Sequence, residues 1–138
     1  MTYEIVSERK MREPVRLSCP ADTYEALTRY ARKQREHFIV ITLDGAHHVQ
    51  RIHIVSIGLV NRTMVHAREV FVKAISDRAT AIIVAHNHPS GKLNPSIEDD
   101  EVTRRLTNAG QIIGIPVLDH LVFGKAGYYS YQEHGRLN

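Results

Sequence analysis

The residues of this chain whose types and spacing could support chemistry lie between positions 86 and 99, in the stretch HNHPSGKLNPSIED. His86 and His88 are separated by one residue, and in a β-strand that spacing puts both side chains on the same face. Asp99 falls in the first turn of a predicted helix, from which its carboxylate could point back towards the imidazoles. Two imidazoles and one carboxylate leave a fourth position for water, as at a catalytic zinc ion, where the water has a pKa of about 7.

The same residues also allow an interpretation without a metal. Two histidines at a strand end are often hydrogen-bonded side chains. Ser96 and Asp99 also fit a capping box, in which the serine accepts a backbone N–H and the acid reaches back to the start of the helix. The two interpretations compete only for Asp99, because Ser96 could cap the helix and still present its hydroxyl to a metal site.

Composition is that of an ordinary globular protein. Of the 138 residues, 43% are hydrophobic and 24% are charged, so a packed core is expected. The 18 basic and 15 acidic residues give a net charge of +3, and the basic residues are scattered, which permits a DNA partner without indicating one. The single cysteine, Cys19, excludes an intrachain disulfide and zinc sites built on two or four cysteines.

No targeting or membrane segment is recognisable in the sequence. The first sixteen residues, MTYEIVSERKMREPVR, carry charges throughout, and the longest unbroken apolar run is AIIVA. A lone cysteine suits a reducing compartment. We therefore expect a cytoplasmic protein with no membrane partner.

The hydrophobic pattern predicts helices that alternate with mainly buried strands, which is typical of the α/β class. The clearest helix has one apolar stripe, made of Ala67, Val70, Phe71, Ala74 and Ile75. The other predicted elements are a short strand over 3–6, a helix over 20–34, a hairpin of two strands over 37–58, a buried strand over 80–85, a helix over 96–109 stopped by Gly110, and strands over 115–123 and 128–131. We expect an N-terminal extension over 1–19 and a single domain over 20–138.

The stretch HNHPSGKLNPSIED resembles the JAMM (MPN+) metalloprotease signature. It is most similar to the RadC-like branch, whose pattern runs H-N-H-P-S-G, a short loop and P-S-x-x-D. The resemblance extends over about residues 20–134 and includes GLVNRTMVHAREVF, IGIPVLDHLVFG and YYSYQEHG. It implies the JAMM/MPN fold, a cytidine-deaminase-like mixed β-sheet flanked by helices. It also implies one Zn²⁺ per chain on His86, His88 and Asp99, with Ser96 near the metal-bound water as a support for the oxyanion.

JAMM enzymes also use an upstream glutamate as the general base, and two residues here are candidates. Glu36 stands directly before the predicted strand HFIVITLD, where JAMM glutamates lie, and we favour it for this reason. Glu69 lies opposite the apolar stripe of its helix and could pair with Lys73 four residues later, which indicates a solvated residue. The competing interpretation of Glu36 is that it belongs to the exposed charged run RKQRE.

The histidines outside this stretch, and Asp119 beside one of them, are expected to have supporting or surface roles. Asp119 and His120 open an apolar strand, where they could orient a metal-binding histidine or instead satisfy each other and the backbone. A surface position is expected for the histidines of the hairpin, and a helix-capping or exposed position for the one before the second helix. These residues are His47, His48, His53 and His66.

The sequence departs from the RadC-like pattern in two ways. Ala67 stands where the branch usually has proline, and we expect the domain to stand alone, without the N-terminal helix-hairpin-helix module of many RadC-like proteins. A nucleobase deaminase is excluded because it would need H-x-E and P-C-x-x-C. Three hypotheses remain: a zinc hydrolase of peptide or isopeptide bonds, a DNA-repair-associated protein that acts on or binds DNA, and a metal-binding interaction module without turnover. The sequence indicates neither the substrate nor the oligomeric state.

Overall fold

The computed structural model describes residues 9–10, 15–58 and 65–137. It shows a mixed six-stranded β-sheet with helices on both faces. The elements are β1 (Arg9–Lys10), α1 (Pro20–Ala26), a 3₁₀ turn (Thr28–Tyr30), β2 (His37–Leu43), β3 (Val49–Ile57), α2 (Ala67–Ser76), β4 (Ala81–Asn87), α3 (Ile97–Ile113), β5 (Val117–Gly124) and β6 (Gly127–Ser130). The strands lie in the order β1-β3-β2-β4-β5-β6. The predicted α/β class is therefore confirmed, while the strand predicted over 3–6 lies outside the described residues.

Both faces of the sheet are packed, because side chains alternate from one face to the other along each strand. Ile39 and Ile41 pack with the side of the sheet that α1 covers. Phe38 and Val40 point the other way and pack with α2 and α3. All seven residues of β2 are therefore buried, and five of them are apolar.

The segment β4-α3-β5 builds the end of the sheet where the histidine pair lies. β4 is antiparallel to β2, with Phe38 opposite His86, and parallel to β5. Two parallel neighbours need a crossover connection, which α3 provides. The first turn of α3 thus returns to the sheet end where β4 finishes. None of the helices in the described ranges is long and apolar enough to span a membrane.

The first helix is shorter than predicted. α1 ends at Ala26, and the chain continues through the 3₁₀ turn into a segment without regular structure, whereas the pattern predicted helix as far as Gln34. The side-chain amide of Asn87 donates hydrogen bonds to the carbonyl oxygens of Lys33 and Arg35, at 3.2 and 3.1 Å. A hydrogen-bonding partner distant in sequence therefore fixes this segment in a non-helical form.

The third helix is longer than predicted, because Gly110 does not stop it. α3 continues to Ile113 and ends at Gly114, which has a left-handed φ of 86°. A Cβ atom at position 110 would lie 2.6 Å from the carbonyl oxygen of Ile115. Gly110 thus allows a close approach of two backbones inside the fold.

The stripe predicted on α2 is also partly wrong. Val70, Phe71 and Ala74 are buried as expected, but Ile75 is 58% exposed. The face of α2 that packs on the sheet is therefore narrower than the apolar stripe predicted from the sequence.

Candidate metal centre

Three side chains with metal-binding atoms converge where β4 ends and α3 begins. The Nε2 atoms of His86 and His88 are 2.9 Å apart. Asp99 Oδ1 lies 3.1 Å from His86 Nε2, and Asp99 Oδ2 lies 3.3 Å from His88 Nε2. Each residue offers one ligand atom, and these atoms lie within 4.8 Å of one another. The structure thus brings together the three residues that the sequence proposed as metal ligands.

Asp99 belongs to the capping box of α3 and to this cluster at the same time. Its Oδ2 atom accepts a hydrogen bond from the Ser96 backbone N–H at 2.9 Å, and Ser96 Oγ accepts from the Asp99 backbone N–H at 3.1 Å. The two interpretations of Ser96-x-x-Asp99 are therefore compatible. The helix N-terminus holds the carboxylate in place, and its oxygens still face the histidines.

The charge state of Asp99 also suits a metal ligand. Burial alone raises the pKa of this carboxyl, but the adjacent imidazoles of His86 and His88 and the backbone N–H of Ser96 outweigh burial. The net result is a pKa well below the ordinary value of 3.8. Asp99 is therefore an ionised, buried carboxylate, and a cation is the natural neighbour for such a group.

His88 is oriented by the loop that follows it. Its Nδ1 atom lies 2.7 Å from the carbonyl oxygen of Lys92. A carbonyl oxygen can only accept, so His88 Nδ1 carries a hydrogen, and in the neutral imidazole Nε2 carries the lone pair that points towards His86 and Asp99. This tautomer is the one that binds a metal through Nε2.

His86 is oriented from inside the fold. Its Nδ1 atom lies 2.9 Å from His120 Nε2, and His120 Nδ1 in turn lies 2.5 Å from Thr103 Oγ1. The ring of Phe38 stacks at 6.0 Å from the His86 ring with an angle of 10° between their planes. His86, His120 and Thr103 are all buried, so this hydrogen-bonded series is shielded from water.

The chemistry of this donor set fits Zn²⁺. Zinc in proteins takes imidazole nitrogen and carboxylate oxygen, and its catalytic sites use three protein ligands in a tetrahedral arrangement. Here two imidazole nitrogens and an ionised carboxylate converge, and the other ring nitrogen of each histidine is hydrogen-bonded to an outer partner, His120 or the Lys92 carbonyl. His86, His88 and Asp99 are the residues that would hold the ion.

A cavity of about 360 Å³ opens beside His88, the one of the three residues that lines it. It is lined by Glu36, His88, Ser90, Lys92, Asn94, Ser96 and Glu98. The sequence candidates Glu36 and Ser96 therefore meet a metal-ligand candidate in one cleft. Glu69 is half-buried on α2 and does not line this cleft in the described part of the chain.

Asn87 is a site residue that the sequence did not single out, although it stands between the two histidines. It is fully buried, and its Oδ1 atom accepts the backbone N–H of His37 at 2.7 Å. Asn87 also donates to the carbonyl oxygens of Lys33 and Arg35. These hydrogen bonds hold the segment that contains Glu36 against the end of β4. The signal for it was its position inside the H-N-H stretch, on the strand face opposite the histidines.

Asp119 and His120 have different surroundings. His120 contacts His86, whereas Asp119 accepts hydrogen bonds from the backbone N–H groups of His120 and Gln132 and from the Ser130 hydroxyl. Burial raises the pKa of the Asp119 carboxyl, and these hydrogen bonds act against that rise. Of the two, only His120 is placed to orient a metal-binding histidine.

The remaining histidines do not all lie on the surface. His47 is exposed in the turn before β3, and His48 and His66 are half-buried. The expectation for His53 was wrong: only 2% of it is exposed, and its Nε2 atom lies 2.7 Å from Asp77 Oδ2. Asp77 follows α2 in sequence, so His53 is buried by a partner that the local pattern does not reveal.

Comparisons with known proteins identify the family. A RadC-like JAB domain matches residues 17–136. A UPF0758 protein of Rubrobacter xylanophilus is 48% identical over 122 residues, which cover 88% of this chain and 53% of the relative. UPF0758 proteins of Methanospirillum hungatei and Trichlorobacter lovleyi are 50% identical over 111 residues and 43% identical over 130 residues, covering 80% and 94% of this chain and 49% and 56% of the relatives.

The mixed sheet and the His-His-Asp triad at its end are those of a JAB-type domain. The chain belongs to the RadC-like JAB domain family, as the stretch over 86–99 indicated. It spans about half the length of the curated relatives it matches. The family suggests a metallohydrolase-type or DNA-repair-related domain.

Proposed function

We propose that this domain is a zinc-dependent hydrolase that cleaves an amide bond, peptide or isopeptide, in a polypeptide substrate. The observation that carries the proposal is the convergence of His86, His88 and Asp99 on one point at the edge of a solvent-accessible cleft. Glu36 and Ser96, which have the side chains that amide hydrolysis requires, line the same cleft.

Each residue has a task that follows from its surroundings. A bound Zn²⁺ supplies Lewis-acid polarisation and makes a water molecule acidic enough to react at neutral pH. Glu36 takes the proton from the attacking water and gives it to the leaving amine. One of its carboxylate oxygens, Oε2, is shielded from solvent.

Ser96 supports the charge that develops on the substrate carbonyl oxygen. Its Oγ atom accepts the Asp99 backbone N–H, and this leaves the hydroxyl hydrogen to be donated towards the cleft. A donor aimed at a developing oxyanion is worth roughly 10²–10³ in kcat. The capping role of Ser96 therefore positions the hydroxyl for a second use.

Metal content is the first test. Elemental analysis of the purified protein is expected to give about one zinc per chain, and His88→Ala and Asp99→Ala are expected to lose it. Asp100→Asn is the matched control, because Asp100 is the next acid along α3 but bonds to Tyr131 and Arg136. A wild type that stays metal-free after zinc is supplied would refute the proposal.

Hydrolysis is the second test. Incubation with a peptide library, read by mass spectrometry, is expected to show cleavage that Glu36→Gln lowers by about 10²–10⁴-fold with zinc retained. Glu69→Gln should cleave like the wild type. If zinc-loaded protein cleaves nothing but binds DNA with an affinity that falls steeply with salt, the function is in DNA binding.

A further inference from the structure

A hydrogen-bonded series runs from α3 through β5 to the first histidine of the metal centre. Asp99 and Thr103 lie one turn apart on α3 and so share a face of the helix. Thr103 Oγ1 lies 2.8 Å from the Asp99 carbonyl oxygen and 2.5 Å from His120 Nδ1. His120 Nε2 lies 2.9 Å from His86 Nδ1. Thr103 therefore touches no metal-ligand atom, yet it is connected to two of the three metal-binding residues.

The positions of the hydrogens along this series follow from the chemistry of its two ends. A carbonyl oxygen only accepts, so Thr103 donates its single hydroxyl hydrogen to the backbone carbonyl oxygen of Asp99. Towards His120, Thr103 Oγ1 must then act as acceptor, and His120 carries its hydrogen on Nδ1. His120 Nε2 accordingly accepts a hydrogen from His86 Nδ1, which leaves the lone pair of His86 on Nε2.

The reverse arrangement would disable the site. If His120 carried its hydrogen on Nε2, it would donate to His86 Nδ1, and the hydrogen of His86 would move to Nε2. That atom lies 2.9 Å from His88 Nε2 and 3.1 Å from Asp99 Oδ1, so the hydrogen would occupy the direction in which a metal binds. The choice between the two arrangements is made at the hydroxyl of Thr103.

Burial and ring packing keep the series in one arrangement. Thr103 is 2% exposed and His120 is not exposed, so water does not compete for their polar atoms. The Tyr131 ring stacks on His120 at 4.9 Å with an interplanar angle of 8°, and Phe38 meets His120 edge-on at 6.0 Å. The His120 ring is thus confined to the plane in which its two nitrogens reach Thr103 and His86.

We propose that Thr103 is a positioning residue which, through His120, holds His86 in the tautomer that presents Nε2 to the metal. This inference rests on the metal centre of the proposed function. In this arrangement a threonine of α3, which does not touch the metal, sets the tautomer of a metal-binding histidine on β4. A single helix then provides one ligand, Asp99, and fixes the tautomer of another.

Zinc affinity is the first readout, measured by competition with a chromophoric chelator. Thr103→Val keeps the shape but removes the hydroxyl, and it is expected to weaken zinc binding about 10- to 100-fold. Thr103→Ser restores the hydroxyl and should bind like the wild type. Thr107→Val is the matched control, since Thr107 is also a buried threonine of α3 but donates only to the carbonyls of Thr103 and Arg104. It should leave the affinity unchanged.

The second readout is the tautomer of His120, obtained from two-bond ¹H–¹⁵N spectra of zinc-loaded protein with labelled histidine. In the wild type and in Thr103→Ser, His120 should carry its hydrogen on Nδ1. In Thr103→Val the resonances should move towards the Nε2–H form. A change in packing alone would not move this signature.

The outcomes separate the inference from the metal centre itself. Zinc binding by the wild type together with unchanged affinity in Thr103→Val would overturn the role of Thr103 alone, as would an Nε2–H form of His120 in the zinc-loaded wild type. If Thr103→Val fails to fold, the wild-type and Thr103→Ser spectra still decide. No zinc binding by the wild type would overturn the metal centre and this inference together.

Discussion

The described part of the chain contains two buried clusters built from histidine and aspartate, and they differ in the balance of donors and acceptors. Around Asp77, every neighbour donates: Thr42 Oγ1 and His53 Nε2 each lie 2.7 Å from Oδ2, and Arg51 Nε lies 3.5 Å from Oδ1. Around Asp99, the Nε2 atoms of two histidines and a carboxylate face one another. In the first cluster the neighbouring groups donate hydrogens to the acid, whereas the second cluster has the donor set that the proposed cation would bind.

The difference shows that residue type alone does not make a metal site. Both clusters lie beside the central strands and bury an imidazole against a carboxylate. The cluster at Asp77 contains a hydroxyl that donates to the acid and a guanidinium that forms an ion pair with it. In the cluster at Asp99, the Nδ1 atoms of His88 and His86 are hydrogen-bonded to outer partners, the Lys92 carbonyl and His120. The Nε2 atoms of both histidines therefore point towards Asp99. The direction of the outer hydrogen bonds separates the two.

The largest expected effect comes from removing the charge at the second cluster. Asp99→Asn keeps an acceptor for the Ser96 backbone N–H but removes the anionic ligand, so zinc affinity should fall by at least about 1,000-fold, or roughly 4 kcal/mol. Asp77→Asn should leave zinc affinity within about threefold, a difference of less than 1 kcal/mol. Chelator competition measures both. Equal losses in the two variants would mean that the clusters are not distinct.

Metal removal should separate the clusters through stability. Zinc at about 1,000 times its Kd stabilises a protein that binds it only when folded by roughly 4 kcal/mol. Thermal unfolding with and without EDTA should therefore show a large shift for the wild type and for Asp77→Asn. Asp99→Asn should show none. A shift in Asp99→Asn would place the metal elsewhere.

The first cluster should matter for stability without metal. In Asp77→Asn the amide has one acceptor for the three donors, so buried hydrogens lose their partner and the free energy of unfolding should fall by about 2 kcal/mol. Urea denaturation in EDTA measures this loss. His53→Gln, which retains a side-chain donor, should lose less. An unchanged midpoint in Asp77→Asn would show that this cluster contributes little to stability.

The smallest effect is expected at Tyr131, which stacks on His120 behind the metal centre. Burial raises the pKa of its phenol well above the ordinary 10.0, and its hydrogen bond to Asp100 raises it further. Above pH 10 the unfolded chain loses this proton and the folded chain keeps it, so stability should fall as the pH rises. Tyr131→Phe should flatten that fall in urea denaturation at alkaline pH. An identical slope in both proteins would contradict the assignment.

The parts of the site that the sequence predicted are those governed by local rules. The spacing of His86 and His88 follows the two-residue period of a strand, and Asp99 follows from the first turn of a capped helix. The order of strands and helices came from hydrophobic periodicity in the same way. These features depend on residues within a few positions of one another.

The parts that the sequence did not predict depend on contacts between distant segments. His53 is buried beside Asp77, 24 residues away. Asn87 donates to the carbonyls of Lys33 and Arg35, more than 50 residues before it, in a segment for which the pattern predicted helix. Gly110 looked like a helix stop, but it allows the approach of the Ile115 carbonyl. For His53 and Asn87, a partner from another part of the fold outweighs the local pattern.

The capping box at the start of α3 has a consequence for how a metal ion enters. Because the Ser96 backbone holds one oxygen of Asp99, the rotamer of this ligand is chosen when the helix forms. Binding then does not have to immobilise that side chain, which otherwise costs about 0.5–1.5 kcal/mol of conformational entropy. The conformational entropy of the Asp99 side chain is thus lost when the helix folds, and not when a metal binds.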